Sequence, residues 1–392
     1  KHSKKKKKSV NNKFEMTKNS VYIWGLIPDG VEKVRKIKQW EPLKIKQKNV
    51  EGNPIKIRAG AHWYAFLTDK GNVYTWGEGK GYRTGNGSIV ETGVPQKIKF
   101  PNSALIEDIC IGHWHGLALS TTGQLFGWGK LFDAKEPIPL TIPCKVKKMA
   151  CGLQTAAILS DVNELYVLGS NEMMQLGLPS PVKVKSWKKV NVSNKLIAHV
   201  AFGAKFAFAI TLSGEVFGWG KNDGGELGRL HKGQCVLPRQ IYVNMEDPAV
   251  SVSCSVGERY CHASISTLSG KCYTIGSGYK HKLGHGDSES ITSPRVIDFF
   301  VKQNLQVLRP INGGIHSSCL CSDGALYTFG CGSDGRLGHK EGSNYVYLYK
   351  ETEPRAIESL GKCVMDADFS YYAGCAITSK NYRPPPLHRS SS

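Results

Sequence analysis

A five-residue pattern recurs along this chain and limits its possible folds more than any other feature. The pattern runs apolar, aromatic, variable, large apolar, glycine, as in Val73-Tyr74-Thr75-Trp76-Gly77. Its seven copies end at Gly25, Gly77, Gly129, Gly169, Gly220, Gly276 and Gly330, which are 52, 52, 40, 51, 56 and 54 residues apart. A period of this length, carried by short β-branched and aromatic runs, predicts a repeat architecture in which each unit buries its apolar faces against its neighbours.

A second half-motif precedes every aromatic strand except the first. It is a glycine, then His or an aromatic residue three positions later, then an alternating apolar strand, and its seven copies run from Gly60–Thr68 to Ser370–Thr378. A turn of about four residues joins each copy to the following aromatic strand, which is a hairpin signature. The last copy and the first aromatic strand each lack a partner, and they complete one another if the chain forms a ring. We therefore predict an all-β, seven-bladed β-propeller closed by pairing of the N- and C-terminal strands.

The repeat also sets the domain boundaries and the core. It fills residues 21 to 378 without a linker, so we expect one propeller at 19–380, a basic disordered tail at 1–18 and a short C-terminal tail at 381–392. The large apolar residue of the pattern should pack between blades. The residues at this position are Trp24, Trp76, Trp128, Leu168, Trp219, Ile275 and Phe329.

Positive charge is concentrated at the N-terminal end. The net charge is +20, and residues 1 to 58 contribute 17 Lys and Arg against 5 Asp and Glu. Lys4, Lys5, Lys6, Lys7 and Lys8 form an unbroken run. Several lysines on a flexible strand can serve as a nuclear-import signal and displace counterions from DNA, or the tail can simply keep the protein soluble. We expect a nuclear protein, with the cytoplasm as the alternative.

Other classes of chemistry find little support in the sequence. The twelve cysteines include no CxxC pair, so a zinc site is not expected, and small buried thiols in a reducing compartment are the ordinary interpretation. No run of 18 apolar residues occurs, so we expect no membrane contact. No grouping of nucleophile, base and orienting residue can be assigned from spacing. We predict a monomer without cofactor or metal and without covalent catalysis.

The combined pattern resembles the regulator of chromosome condensation repeat. Gly-x-x-His, an apolar strand, a Gly turn, Val-Tyr-x-Trp-Gly and then Leu-Gly recur at a period just over 50 across about 360 of 392 residues. In the fourth copy, Phe206 stands where the family's pattern has His, as in the family's founding exchange factor for the GTPase Ran. The resemblance implies guanine-nucleotide exchange on a Ran-type GTPase, a Lys-rich arm for nuclear entry and contact with DNA or nucleosomes, and a chromatin-associated protein.

In that family the Gly-x-x-His loops lie on the propeller face that grips the GTPase. The matching positions here are His62, Trp63, His113, Trp114, His115, Gln154, Thr155, His262, His316, Tyr372 and Ala373. The family carries acidic residues at the positions of His113 and Gln154 and a His at the position of Ala373. Each histidine could equally tie down its local backbone.

A further departure lies after the third aromatic strand, where the family has a protruding wedge. The corresponding segment here, 130–137, is several residues shorter. Asp133 and Glu136 are the nearest acidic candidates for disturbing the phosphate and magnesium site of a GTPase, or they are solvated loop charges. The sequence therefore predicts an exchange factor that acts without covalent chemistry. The alternative is a non-catalytic interaction scaffold of the same fold, of the kind associated with cilia, ubiquitin ligases or organelles.

Overall fold

The structure is a computed structural model that describes residues 18–28, 36–228, 233–241, 247–345 and 347–384. The lysine run at 4–8 and most of the predicted C-terminal tail lie outside the described residues. Within them, the chain forms seven four-stranded antiparallel sheets. The predicted all-β, seven-bladed propeller is confirmed. No helix in the described ranges combines the length and hydropathy needed to cross a bilayer.

The strands follow the chain blade by blade, and the first two belong to the last blade. These two are β1 (Ser20–Pro28) and β2 (Lys36–Lys44). Blade 1 contains β3 (Pro54–Gly60), β4 (Trp63–Thr68), β5 (Val73–Gly77) and β6 (Thr92–Lys97). Blade 2 contains β7 (Ile106–Ile111), β8 (His115–Ser120), β9 (Leu125–Gly129) and β10 (Ala134–Pro139). Blade 3 contains β11 (Val146–Cys151), β12 (Thr155–Ser160), β13 (Leu165–Gly169) and β14 (Val184–Val190).

The remaining blades repeat this order. Blade 4 contains β15 (Ile197–Phe202), β16 (Phe206–Thr211), β17 (Val216–Gly220) and β18 (Cys235–Gln240). Blade 5 contains β19 (Ala249–Cys254), β20 (His262–Thr267), β21 (Cys272–Gly276) and β22 (Ile291–Val296), followed by the short helix α1 (Asp298–Lys302). Blade 6 contains β23 (Val307–Asn312), β24 (His316–Cys321), β25 (Leu326–Cys331), a one-turn helix α2 (Gly342–Tyr345) and β26 (Lys350–Ala356). Blade 7 begins with β27 (Val364–Phe369) and β28 (Ala373–Thr378).

The two ends of the chain close the ring within blade 7. Strand β1 pairs antiparallel with β28 from Ser20 opposite Thr378 to Gly25 opposite Ala373, and the sheet order is β2-β1-β28-β27. The sequence analysis predicted this pairing, because the first aromatic strand and the last half-motif strand each lacked a partner. Since the first strands of successive blades contact one another in an unbroken circle, from β3 to β27 and back to β3, they are the innermost strands around the propeller axis.

The large apolar residue of each pattern is buried, as predicted: six of the seven are completely inaccessible, and Leu168 is 6% exposed. Three of the tryptophans also reach the preceding blade. Trp128, Trp219 and Trp24 donate their Nε1 hydrogens to backbone carbonyls of Arg83, Gln175 and Arg336, at 2.8, 2.9 and 3.1 Å. Each acceptor residue comes just before a glycine-containing turn. An indole therefore fills the space between two blades and fixes their spacing with a directional bond.

The short spacing of 40 residues between Gly129 and Gly169 has a local cause in blade 2. In blade 1 the third and fourth strands are joined by residues 78–91, and blade 3 uses the equally long segment 170–183. In blade 2 the same connection is the four-residue turn 130–133. The Leu-Gly turn that blades 3 to 6 carry in this connection, and the Thr84-Gly85 turn of blade 1, therefore have no counterpart in blade 2.

Candidate functional site

The loops with the predicted site residues all lie at one end of the propeller. In an antiparallel four-stranded blade, the connection between the first and second strands and the connection between the third and fourth strands emerge at the same end. We call this end the loop face. The two connections of a blade contact one another on this face. In blade 1, the Arg83 guanidinium, between β5 and β6, donates from Nη1 to the Ala61 carbonyl, between β3 and β4, at 2.6 Å.

The predicted residues divide into two groups by burial. Trp63, His115, His262 and His316 begin the second strands of their blades and are completely buried. His115 and His316 fold back over the glycine three positions earlier, where any Cβ would collide with the imidazole. Thr155 and Ala373 occupy the equivalent position and are also buried. These side chains are closed off from a partner in this conformation.

Contacts between neighbouring blades explain what the buried group does. Trp63 Nε1 donates to the carbonyls of Gly112 and His113 in the next blade, both at 3.2 Å. His262 Nε2 lies 2.7 Å from the Ser317 hydroxyl of the next blade. Burial lowers the pKa of His115 to about 3 and holds the pKa of His262 well below its ordinary value. These imidazoles are therefore neutral, and that of His262 joins blade 5 to blade 6.

The accessible group forms an arc across blades 7, 1 and 2, which we call the aromatic arc. It consists of Tyr372, His62 and Trp114, with His113 beside Trp114, and all four are half-buried. The rings of His62 and Tyr372 stack, with centroids 5.5 Å apart and planes 10° apart. Burial, reinforced by Lys36, lowers the pKa of His62 to about 4, so this ring is neutral at physiological pH. Gln154 continues the loop face in blade 3 and is exposed.

Two arginines that the sequence reasoning missed hold the aromatic arc in place. The Arg83 guanidinium lies 3.7 Å from the Trp114 ring centroid, and that of Arg336 lies 5.1 Å from the Tyr372 ring. Each arginine is buried and reaches from one blade to the loop of the next. Arg336 Nη1 also donates to the Tyr371 carbonyl at 3.3 Å. The sequence does place the two arginines at equivalent positions, because each comes immediately before the Thr84-Gly85 or Leu337-Gly338 pair of the repeated turn. A cation over an aromatic face orients the ring before any partner arrives.

Blade 5 adds a second aromatic group that was not among the predicted residues. Its longer first loop places Tyr260 on Tyr279, with ring centroids 4.2 Å apart, and both are at least 40% exposed. The buried Lys282 amine lies 5.8 and 5.7 Å from these rings, and burial lowers its pKa to about 7. Tyr371 packs over Gly257 and Gly314, between this pair and the aromatic arc. The loop face therefore presents ordered aromatic rings over most of its circumference.

Asp133 and Glu136 lie at the rim of blade 2 instead of in the arc. Asp133 is the exposed last residue of the turn 130–133 and has a φ of 52°. Glu136 is exposed on the outer strand β10 and packs against Gly87 of blade 1.

The predicted nucleic-acid contacts Lys4 to Lys8 cannot be placed, because they lie outside the described residues. In the part of the chain that the structure describes, no three His, Cys, Asp or Glu side chains converge as metal ligands. None of the twelve cysteines, all of them described, is in a disulfide.

Comparison with known proteins identifies the repeat. The model of the regulator of chromosome condensation (RCC1) repeat matches residues 70–119, 213–257 and 323–377, and a second model of the same repeat matches 197–226. Human E3 ubiquitin-protein ligase HERC2 is 28% identical over 302 residues, which is 73% of this chain. The chain spans only 6% of the length of that ligase.

Two solved structures share the whole ring. Human WBSCR16 superposes with a TM-score of 0.79 at 18% identity and covers 93% of this chain and 100% of its own. Prp20p from Saccharomyces cerevisiae superposes with a TM-score of 0.77 at 16% identity and covers 93% and 92%. At these identities the structural likeness concerns the fold. The matched repeats and the seven-bladed ring together make this chain RCC1-like, a divergent propeller with regulator of chromosome condensation repeats.

Proposed function

We propose that this chain binds a Ran-type small GTPase through the aromatic arc and accelerates the release of its guanine nucleotide. The observation that carries the proposal is the ordering of Trp114 and Tyr372 under Arg83 and Arg336, together with the stacking of His62 on Tyr372. Aromatic side chains already fixed in the free protein give up little conformational entropy on binding and are frequent anchors of protein interfaces. The arc lies on the face that the family resemblance assigns to the GTPase.

The mechanism needs no covalent step. An exchange factor binds the nucleotide-free GTPase more tightly than the nucleotide-bound form, and this differential affinity lowers the barrier to loss of GDP. The aromatic arc would supply binding energy, while the exposed carboxylates of Asp133 and Glu136 would compete with phosphate for the magnesium ion at the edge of the interface. The buried His115, His262 and His316 would act by keeping the loops rigid. Gln154 would extend the contact into blade 3.

Support for the partner class comes from a protein of the same fold. Prp20p is described together with its binding to Gsp1p and histones. By the same reasoning, we propose a nuclear, chromatin-associated protein whose Lys4 to Lys8 run contacts DNA or nucleosomes.

A second candidate is a non-catalytic scaffold that uses the same face. The turn 130–133 favours it, because four residues do not form a protruding wedge beside the arc. The similarity to part of a ubiquitin ligase is also consistent with an interaction module. A scaffold would bind its partner without changing the rate of nucleotide release.

Release of fluorescent GDP from Ran separates the two candidates. We expect the protein to accelerate release, and Trp114→Ala to reduce the acceleration about tenfold or more, because the variant removes a central aromatic anchor. Leu212→Ala is the matched control, since Leu212 is 58% exposed in the β16–β17 turn at the opposite end of the blades. If micromolar protein leaves the release rate unchanged, the exchange proposal is wrong and the scaffold replaces it.

The basic arm has a separate test in the salt dependence of DNA binding. Each lysine contact with phosphate contributes about 0.9 to the slope of log affinity against log salt. We expect deletion of residues 1–17 to lower the slope by several units in a titration on duplex DNA, and Lys4–Lys8 replaced by alanines to account for most of that loss. An unchanged slope would show that the arm makes no phosphate contact.

A further inference from the structure

A groove of about 860 Å³ opens between the outer parts of blades 2 and 3, beside the short turn 130–133. We call it the blade 2–3 groove. Its apolar floor includes Phe132, Ile142, Leu168 and Trp187. All four pack into the hydrophobic cluster between the two blades. The groove therefore lies over the core position of blade 3.

At five other blade junctions the corresponding place is filled by the chain itself. The glycine of the Leu-Gly or Thr-Gly turn lies flat against the large apolar residue of the next blade, and a Cβ there would come within about 3.2 Å of that residue. The pairs are Gly85 with Trp128, Gly177 with Trp219, Gly228 with Ile275, Gly284 with Phe329 and Gly338 with Trp24. All five glycines have a φ between 68° and 79°, which other residues rarely adopt. The turn backbone thus seals the gap between blades.

Blade 2 has no such turn, and the large apolar residue of blade 3 differs accordingly. Leu168 replaces the indole that would need a carbonyl partner in the preceding blade, and it is the one residue of the seven with any exposure. On the blade 2 side, other side chains replace the leucine of the missing turn. Phe132 and Leu140 cover Gly127 there. In blade 4, the turn residue Leu227 and Ile241 cover the equivalent Gly218. The side facing Leu168 stays open. The groove therefore lies where a Leu-Gly or Thr-Gly turn would pack between the two blades.

The rim of the groove is basic. Lys130, Lys183 and Lys185 line it and are exposed, and Asp133 is the one carboxylate among its lining residues. None of the three lysines forms an ion pair within the part of the chain that is described. A segment that fits the apolar floor would therefore be bound more tightly if it carried negative charge.

We propose that the blade 2–3 groove binds an acidic segment of a partner protein, with an aliphatic side chain over Leu168 and carboxylates beside Lys183 and Lys185. The segment would take the place of the missing turn, as the Leu-Gly turns do elsewhere in the ring. This interaction needs no nucleotide, and its groove shares Asp133 with the surface proposed for the GTPase.

The chain itself supplies a probe. The blade 4 turn 222–228, Asn-Asp-Gly-Gly-Glu-Leu-Gly, contains two carboxylates and the Leu-Gly pair, and it can be cyclised and labelled with a fluorophore. The blade 5 turn 279–285, Tyr-Lys-His-Lys-Leu-Gly-His, is the matched basic control. We expect the acidic peptide to bind the full chain measurably in fluorescence anisotropy and the basic peptide to bind at least about tenfold more weakly. Exchanging the leucine of the acidic peptide for serine should weaken binding about tenfold, because it removes the apolar anchor.

Surface variants keep the test independent of folding. Lys183→Glu with Lys185→Glu should weaken binding of the acidic peptide about tenfold or more, and should do so less at high salt. Lys302→Glu with Lys340→Glu makes the same charge change on blades 5 and 6 and should have little effect.

Three results would overturn the proposal. These are equal binding of acidic and basic peptides, no binding of the acidic peptide up to millimolar concentration, and binding that is insensitive to the two lysines. Sedimentation of the protein alone adds a fourth. If the chain self-associates and Lys183→Glu with Lys185→Glu abolishes the association, then the occupant is a second copy of the chain and not an acidic partner.

Discussion

Replacing Trp219 with alanine is expected to lower the free energy of unfolding by about 3 to 5 kcal/mol, the usual cost of removing a fully buried aromatic side chain. Trp219 is inaccessible to solvent, lies among apolar residues of blades 3 and 4, and meets Phe202 edge to face at a centroid distance of 6.5 Å. Its Nε1 donor to the Gln175 carbonyl also closes the gap between these blades. The substitution therefore leaves both a cavity and an unpaired carbonyl at a blade interface.

Urea unfolding followed by circular dichroism measures this effect, and two matched variants divide it into parts. Trp219→Phe keeps most of the ring but loses the donor, so it should cost about 1 to 2 kcal/mol. Trp187→Ala removes an indole that is only half-buried in the blade 2–3 groove and should cost much less than Trp219→Ala. If Trp219→Ala and Trp187→Ala lowered the free energy of unfolding equally, the indole between blades would stabilise the ring no more than a half-buried indole does.

The sequence predicted the fold in detail because the repeat is a direct consequence of packing. An apolar residue such as Trp128 or Phe329 must meet an equivalent surface on the next unit, so the same strand recurs at every blade. The unpartnered strands at the two ends then left one arrangement, the pairing of Val21 with Ile377 and its neighbours. The shortened segment 130–137 was also noted from the sequence. Its consequence, a groove over Leu168, depends on side chains from two blades and could not be derived from spacing.

The site was less predictable than the fold, because burial decides which loop residues are available. His113 and His115 are two residues apart, yet one is partly exposed and the other is completely buried. The sequence named both without distinguishing them. Arg83 and Arg336 were missed because their contacts with Trp114 and Tyr372 join residues of neighbouring blades, which no local motif reveals. His113 lies in the loop before β8, whereas His115 begins that strand, in which all six residues are buried.

Another set of charges lies on the innermost strands, where blade 7 meets its neighbours. Asp366 on β27 accepts hydrogen bonds from Arg309 Nη2 of blade 6 at 2.6 Å and from Arg58 Nη1 of blade 1 at 2.8 Å. It also accepts from the Ile57 backbone N–H at 2.8 Å. Blade 7 is the blade assembled from both ends of the chain. Asp366 therefore joins the closure of the ring to the blades on either side.

Acid should weaken this connection. Burial alone would raise the pKa of Asp366, but Arg58, Arg309 and the Ile57 N–H outweigh it and hold the pKa below its ordinary value. A carboxyl whose pKa is lower in the folded state contributes stability above about pH 4, its unfolded value, and loses it as the pH falls toward the folded value. Asp368 has the opposite sign, because burial raises its pKa. We expect Asp366→Asn to flatten the loss of stability below pH 4 and Asp368→Asn not to flatten it.

Asp366→Ala should be among the most damaging single substitutions, at about 3 kcal/mol, because it leaves the Arg58 and Arg309 guanidiniums without their shared carboxylate in a mostly buried place. Glu51→Ala is the matched control, since it removes an ion pair with Lys97 in which both side chains are at least 45% exposed, and it should cost far less stability than Asp366→Ala. Hydrogen exchange should show faster opening of β1 and β28 in Asp366→Ala than in Glu51→Ala, because these strands close the ring beside the lost contact. Equal exchange in the two variants would mean that the pairing of β1 with β28 holds the ring closed without help from the Asp366 cluster.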